Sequence, residues 1–297
     1  MKPKGLAKTL LGASALTVAI VVNFLVPSAN AASETWIGAT NGIWGTGTNW
    51  STLAAPTSSD DLTIFGPSNV AGALTVNINA AAAANSINFT DTSAVTLSNT
   101  TSGSNQTLTL GSGGLKVGTG AVTIGSSTAN QNINIALGAS QTWNVGSGGL
   151  TVNNVISDGG SAFGLTKNGT GTLTLAGANT YTGATTLNQG TTTLSGSISS
   201  SSALVLRSGT LSYTKTGTNT QTFNGTTINP GFATITNGTA TNTIDLGAIT
   251  RNSGGVLNVS SLTGATKTST AVDSTGILGT WATTGTGTGL KYAAGGS

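Results

Sequence analysis

The chain contains no cysteine and no histidine, and only 6% of its 297 residues are charged. No disulfide can form, and the thiolate and imidazole ligand sets of zinc and copper sites are missing. Apart from the N-terminus no long apolar run occurs, so low charge here does not indicate a chain of membrane helices. What fills the sequence instead is 44 glycines with many Thr, Ser and Asn, and a hydrophobic share of 37%. That is the composition of short strands broken by turns, and it is too apolar and too weakly charged for charge-driven disorder.

The N-terminus has the layout of a secretory signal peptide. Lys2, Lys4 and Lys8 precede an apolar run from Thr9 to Val26, and Ala29-Asn30-Ala31 supplies a small-residue cleavage pattern. Cleavage is expected between Ala31 and Ala32, with an uncleaved anchor as the alternative. Removing residues 1–31 takes away three of the ten basic residues and leaves seven against seven acidic ones. The mature chain is then neutral, with no membrane span, and a nucleic-acid partner is excluded.

The dominant pattern has period two. Leu74, Val76 and Ile78 alternate with Thr75, Asn77 and Asn79, and Ile87/Phe89, Val95/Leu97, Leu108/Leu110, Leu115/Val117, Val122/Ile124 and Ile133/Ile135 do the same. Each is a short strand with one buried face. AAAAA at 80–84 is the one helix-like run, too short to propagate. The strands also repeat: QTLTLGSGGLKV (106–117) matches QTWNVGSGGLTV (141–152) at eight of twelve positions, at an offset of 35. A looser beat of about 20 residues links Leu74, Val95 and Leu115. Such self-similarity marks a solenoid, whose units bury their apolar faces by stacking. A β-sandwich has no need of it. The expected fold is an all-β parallel β-helix.

LTKNGTGTLTLAGANTYTGATTLNQGTTTL (165–194) closely resembles the autotransporter-associated β-strand repeat of bacterial surface passengers. Lys167, Gly169 and Gly171 form its lead, Leu173 and Leu175 its first strand, and Asn179, Tyr181 and Gly183 its turn, before a Thr-rich strand from Thr185 to Leu194. TWIGATNGIWGTGTNWSTLAAPTSSDDLTIFG (35–66) is similar to the segment that opens such proteins, and ILGTWATTGTG (277–287) to segments within long members. The resemblance implies a right-handed β-helix, exported and displayed outside the cell.

Within the repeat, Leu173 and Leu175 are expected in the core and Thr172 and Thr174 on the wet face. Asn179 is expected to bond backbone beside a turn, Gly177 and Gly183 to take positive φ, and Tyr181 to pack on the corner with its hydroxyl outward. Trp36, Trp44 and Trp50 are expected to cap the first coil, with sugar stacking as the alternative. Trp143 is expected in the core. The expected organisation is a signal peptide (1–31), a Trp-rich cap (32–66), and β-helix repeats (67–297) that include the recognised repeat at about 165–196. The C-terminus, GLKYAAGGS, carries no barrel strands and no sorting signal, and reads as truncated relative to a complete autotransporter.

No catalytic centre is visible. The acidic residues Glu34, Asp60, Asp61, Asp91, Asp158, Asp245 and Asp273 are scattered, and only Asp60-Asp61 are adjacent. The Ser212-x-x-Lys215 spacing lacks the companion motifs of a Ser/Lys acyl enzyme. The expectation is a non-enzymatic stalk or adhesive surface without cofactor or metal. Its partners would be host or extracellular-matrix glycans or neighbouring cell-surface proteins. A β-helical polysaccharide lyase or hydrolase, or a carbohydrate-binding module, is the alternative.

Overall fold

A computed structural model describes residues 32–38, 42–64, 73–101, 104–127, 131–271, 278–284 and 291–292. Residues 1–31, expected above to be a signal peptide, lie outside the described residues, as do parts of the opening segment and of the 277–287 stretch. All that follows concerns the unit Ala31–Ser297.

Successive strands enter different sheets, and each strand pairs with its counterpart one coil earlier and one coil later. Asp61–Ile64 lies in a first sheet, Leu74–Asn77 in a second, and Ala82–Phe89 rounds a corner from the third side back into the first. The main path of the first sheet runs through ten strands, from Ser33–Thr35 to Ile249–Arg251, which mark ten coils of a β-solenoid. The second sheet has eleven strands. The third side is paired locally, for example between Ile133–Leu137 and Ile156–Ser157 and among Thr220–Thr222, Thr243–Asp245 and Ala265–Lys267. Among the described strand pairs all are parallel except Ala282–Thr284 with Lys291–Tyr292. The described helix content is a single 3-10 turn, Gly47–Asn49.

The core consists of side-chain columns. In the first sheet Leu62, Ile87, Leu115, Trp143, Lys167, Leu187, Leu206 and Ile228 stand one above another. All are buried. In the second sheet the outward column is Thr75, Thr96, Thr123, Thr151, Thr174, Thr193, Ser212 and Thr236. The β-branched hydroxyl residue fits a pleated, half-wet surface. Each buried Leu or Ile contributes roughly 1.5–3 kcal/mol, so stability accrues coil by coil through nearest neighbours.

Two expectations about register are corrected. The internal match between 106–117 and 141–152 does not place equivalent coils over each other: Leu115 pairs with Trp143, not with Leu150. In 106–117 the shared strand–GSGG–strand unit turns the corner into the first sheet; in 141–152 it turns the next corner, into the second. Gly114 and Gly149 hold equivalent positive φ angles of 68° and 76°. The match is one coil plus one side. The looser beat holds from Leu74 to Val95, but the next member of that column is Val122, not Leu115. The alanine run also ends in a strand: Ala82 and Ala84 are buried and pair with Leu108 and Leu110.

The inward and outward columns can be tested by charge. Leu175→Asp places an unpaired carboxylate in the core and is expected to lower stability by several kcal/mol, if the chain folds at all. Thr174→Asp, on the wet face, is expected to change it by roughly 0.5 kcal/mol or less. Chemical denaturation of both variants checks the assignment, and equal midpoints would refute it.

Candidate functional site

The coils of the recognised repeat are short. Lys167 pairs with Leu187, and Leu187 with Leu206, so each turn closes well before the turn from Ile87 to Leu115 does. Leu165–Asn168 and Thr185–Leu187 lie in the first sheet, and Thr172–Leu175 and Thr191–Leu194 in the second. Leu173 and Leu175 are buried, Thr172 is exposed and Thr174 half-exposed. On the third side these coils share only the bridge Ala178–Ser197.

Asn179 serves where a strand is missing. Its side chain is 3% exposed and spans three coils. The Oδ1 accepts from the Ile156 N–H at 3.0 Å, and the Nδ2 donates to the Gly177 and Ser197 carbonyls at 3.0 and 2.9 Å. Asn154 and Gln221 do comparable work: Asn154 accepts from the Ile133 N–H, and Gln221 both accepts from and donates to Ile198. Asp158 ties the same corner, accepting from the Thr182 N–H and hydroxyl at 2.8 and 2.9 Å and from the Gly160 N–H. Burial opposes the Asp158 charge, but these donors prevail and hold its pKa below the usual aspartate value.

Two expectations for the repeat turn are corrected. Tyr181 is fully buried, and its hydroxyl points inward to the Thr185 Oγ1 at 2.9 Å rather than out to solvent. Burial raises its pKa. Gly177 and Gly183 do not have positive φ; a Cβ at Gly177 would strike the Asn154 carbonyl, and one at Gly183 the Ala162 carbonyl. Their cause is close approach of the preceding coil. Gly171 is likewise pressed against the Gly146 carbonyl, while Gly169, at φ 81°, has both the positive angle and the close approach, to Val145.

Lys167 occupies an inward position between Trp143 and Leu187 and is 1% exposed. Its stem fills the column, and its Nζ donates to the carbonyls of Gly169 at 2.6 Å, Gln189 at 3.0 Å and Asn168 at 3.3 Å. Desolvation lowers its pKa to about 8. The sequence reading placed Lys167 only in the lead of the repeat and gave no sign that a lysine would be buried there.

Outside this turn lies a polar groove of about 530 Å³, lined by Asn144, Asn168, Gly169, Asn188, Gln189, Arg207 and Ser208. Sequence reasoning missed it, because its amides come from successive coils and meet only through register. Asn144 pairs with Asn168, and Asn188 Nδ2 donates to Asn168 Oδ1 at 2.8 Å.

At the N-terminal end Trp36, Trp44 and Trp50 are buried and packed edge to face, with ring centroids 5.0 and 5.1 Å apart. Trp50 Nε1 donates to the Trp44 carbonyl at 2.7 Å. Their faces are covered, which leaves no ring for a sugar to stack on. Ser33–Thr35 continues the first sheet and Ile43 bridges to Asn77 of the second, so this segment covers both edges of the first full coil. Trp143 is buried in the first-sheet column, over Leu115.

The described carboxylates are dispersed. Asp60 accepts from the Thr57 N–H and hydroxyl, both at 2.7 Å, and Asp61 from Asn85 and Ser86. Among the described residues no three metal-ligating side chains of the His, Cys, Asp or Glu type gather. No described helix is long and apolar enough to cross a membrane, which leaves membrane β-strands unaddressed.

With this geometry in hand, comparison with known proteins gives one finding. Residues 165–194 match the passenger-associated-transport-repeat family, and they fall on the short coils described above. Searches of the curated proteins and of the solved structures returned no match. The chain therefore carries an autotransporter-passenger repeat within a β-solenoid.

Two outcomes are expected. Asn179→Ala strands one N–H and two carbonyls in a largely buried corner and should cost about 2–4 kcal/mol by denaturation. Lys167 has a folded pKa below its unfolded value of 10.5, so the unfolded chain binds more protons between about pH 8 and 10.5. Its desolvation cost is complete below pH 8 and is relieved as pH rises, giving a stability gain of about 1–3 kcal/mol across that window. Tyr181, with its raised pKa, acts oppositely above pH 10, so the comparison belongs between pH 8 and 9.5. Lys167→Met should flatten the rise; an identical slope in both proteins would refute it.

Proposed function

We propose that the chain is exported and acts outside the cell as a non-catalytic stalk or adhesive surface, in the manner of an autotransporter passenger. The observation that carries this reading is the passenger-associated-transport-repeat seated in register inside a continuous stack of parallel coils. The uncharged, threonine-rich outward column of the second sheet suits a spacer or contact surface. Asp60, Asp61 and Asp158 are each engaged by neighbouring donors, which favours structural over catalytic duty for them.

The N-terminal end supports cleavage after Ala31. The Ala32 backbone nitrogen lies 3.2 Å from Asp60 Oδ1. Asp60 and Glu34 are both buried, the Glu34 Oε2 has no partner, and burial and the Asp60 charge raise the Glu34 pKa. Cleavage at that bond would make the Ala32 nitrogen an ammonium and supply a cation to carboxylates that have none among the described residues.

N-terminal sequencing of the secreted chain should therefore begin at Ala32; recovery of Met1 would favour an anchor. A chain starting at Ala32 should melt several degrees above one carrying extra residues before it, and Asp60→Asn should abolish the difference. Intact cells treated with protease should lose the protein. A polysaccharide panel assayed with calcium should show no turnover, and turnover that vanishes in Asp60→Ala/Asp61→Ala would establish an enzyme instead.

A further inference from the structure

We infer that the groove beside the recognised repeat binds a linear acidic oligosaccharide, one whose sugars carry carboxylates. This rests on the reading of the chain as an extracellular surface and adds the chemistry of what that surface holds.

The groove is built by coil register. Asn88, Lys116, Asn144 and Asn168 follow one another in an outward column of the first sheet, and Asn188 joins it through Asn168. A primary amide offers donor and acceptor together, which suits the adjacent hydroxyls of a sugar ring. Parallel coils stand about 4.8 Å apart, comparable to the length of one pyranose unit, so a saccharide laid along the solenoid axis meets one amide per sugar.

Charge selects the kind of saccharide. Arg207 lines the groove, is exposed, and among the described residues forms no ion pair. No carboxylate lines the groove. Lys116 is exposed one coil below Asn144. Behind the wall, the Lys167 ammonium bonds the carbonyl of Gly169, itself a lining residue. The site therefore presents hydroxyl-binding amides in a positive field, with a guanidinium able to take a carboxylate in two parallel bonds. No aromatic ring lines it, which argues against a nucleobase and makes binding depend on length and charge.

The test is calorimetric titration of the purified chain with a galacturonate tetramer, with monomeric galacturonate, and with neutral cellotetraose. The tetramer should bind, the monomer at least tenfold more weakly, and cellotetraose not measurably. Arg207→Gln should weaken tetramer binding about tenfold or more, the loss of one charge-assisted contact. Arg207→Lys should recover part of it, and Lys215→Gln should change nothing. Thermal melting confirms that each variant is folded. Failure of the tetramer to bind, equal binding of cellotetraose, or an unaffected Arg207→Gln variant would each overturn the inference. The protein's location, read separately from intact cells, would be untouched by any of these.

Discussion

The spacing between parallel coils, about 4.8 Å, governs the rest of this molecule. At that distance a residue that leaves the strand and runs against the coil below has a carbonyl where its Cβ would be. Gly171, Gly177 and Gly183 answer to this requirement, each pressed against the preceding coil's backbone. The same spacing stacks like upon like. Inward Leu and Ile fill a core one side chain deep, and outward Thr residues form a column from coil to coil. Like charge repeated at such a spacing would repel at every step, and the outward column of the second sheet from Thr75 to Thr236 carries none.

Alternation in the sequence placed the inward residues from Val76 to Ile135 for which it was read, because period two is a local property and each coil repeats it. Leu108, Leu110, Leu115 and Val117 are buried as the pattern requires. Which coil sits on which was less legible. The turn from Ile87 to its partner Leu115 is much longer than the turn from Leu187 to Leu206, so no single period exists to be found. The strongest internal match misled for a physical reason: the corners of a solenoid are locally alike, and sequence similarity records the corner rather than the coil. The recognised repeat fared better because its motif spans more than one coil, from Leu165 past its partner Thr185. Within it, the burial of the Tyr181 hydroxyl and of Lys167 was hidden, since both depend on partners, Thr185 and Gln189, that only the fold brings into contact.

The short coils show what a solenoid can omit. From Lys167 to Leu187 the chain is too short to include a paired strand on the third side, and the backbone groups there would lie unsatisfied. Asn179 supplies the missing hydrogen bonds from one side chain, reaching the coil below and the coil above. Gln221 repeats the device two coils later, reaching back to Ile198. A buried amide is costly unless all its groups are paired, so such a position tolerates little substitution on structural grounds alone. The motif's Asn is thus explained by backbone accounting.

A stack of this kind is vulnerable at its ends, where a row of unpaired N–H and C=O groups invites another chain. The N-terminal end is covered by Ser33–Thr35, the Ile43 bridge and three packed tryptophans. Among the last described strands the pairing reverses: Lys291–Tyr292 runs antiparallel to Ala282–Thr284, the one described strand pair to do so. Just inside it, Arg251 sits at the head of the first-sheet column, above Ile228, donates to the Gly255 carbonyl at 2.8 Å and faces the Trp281 ring at 5.8 Å. The column that begins at the buried Glu34, over Leu62, gives way to a guanidinium on an indole, a group that can cover apolar side chains with its stem and meet water with its head. Arg251 is exposed, and the same rule that selects leucine where a column is covered selects an amphipathic side chain where it meets water.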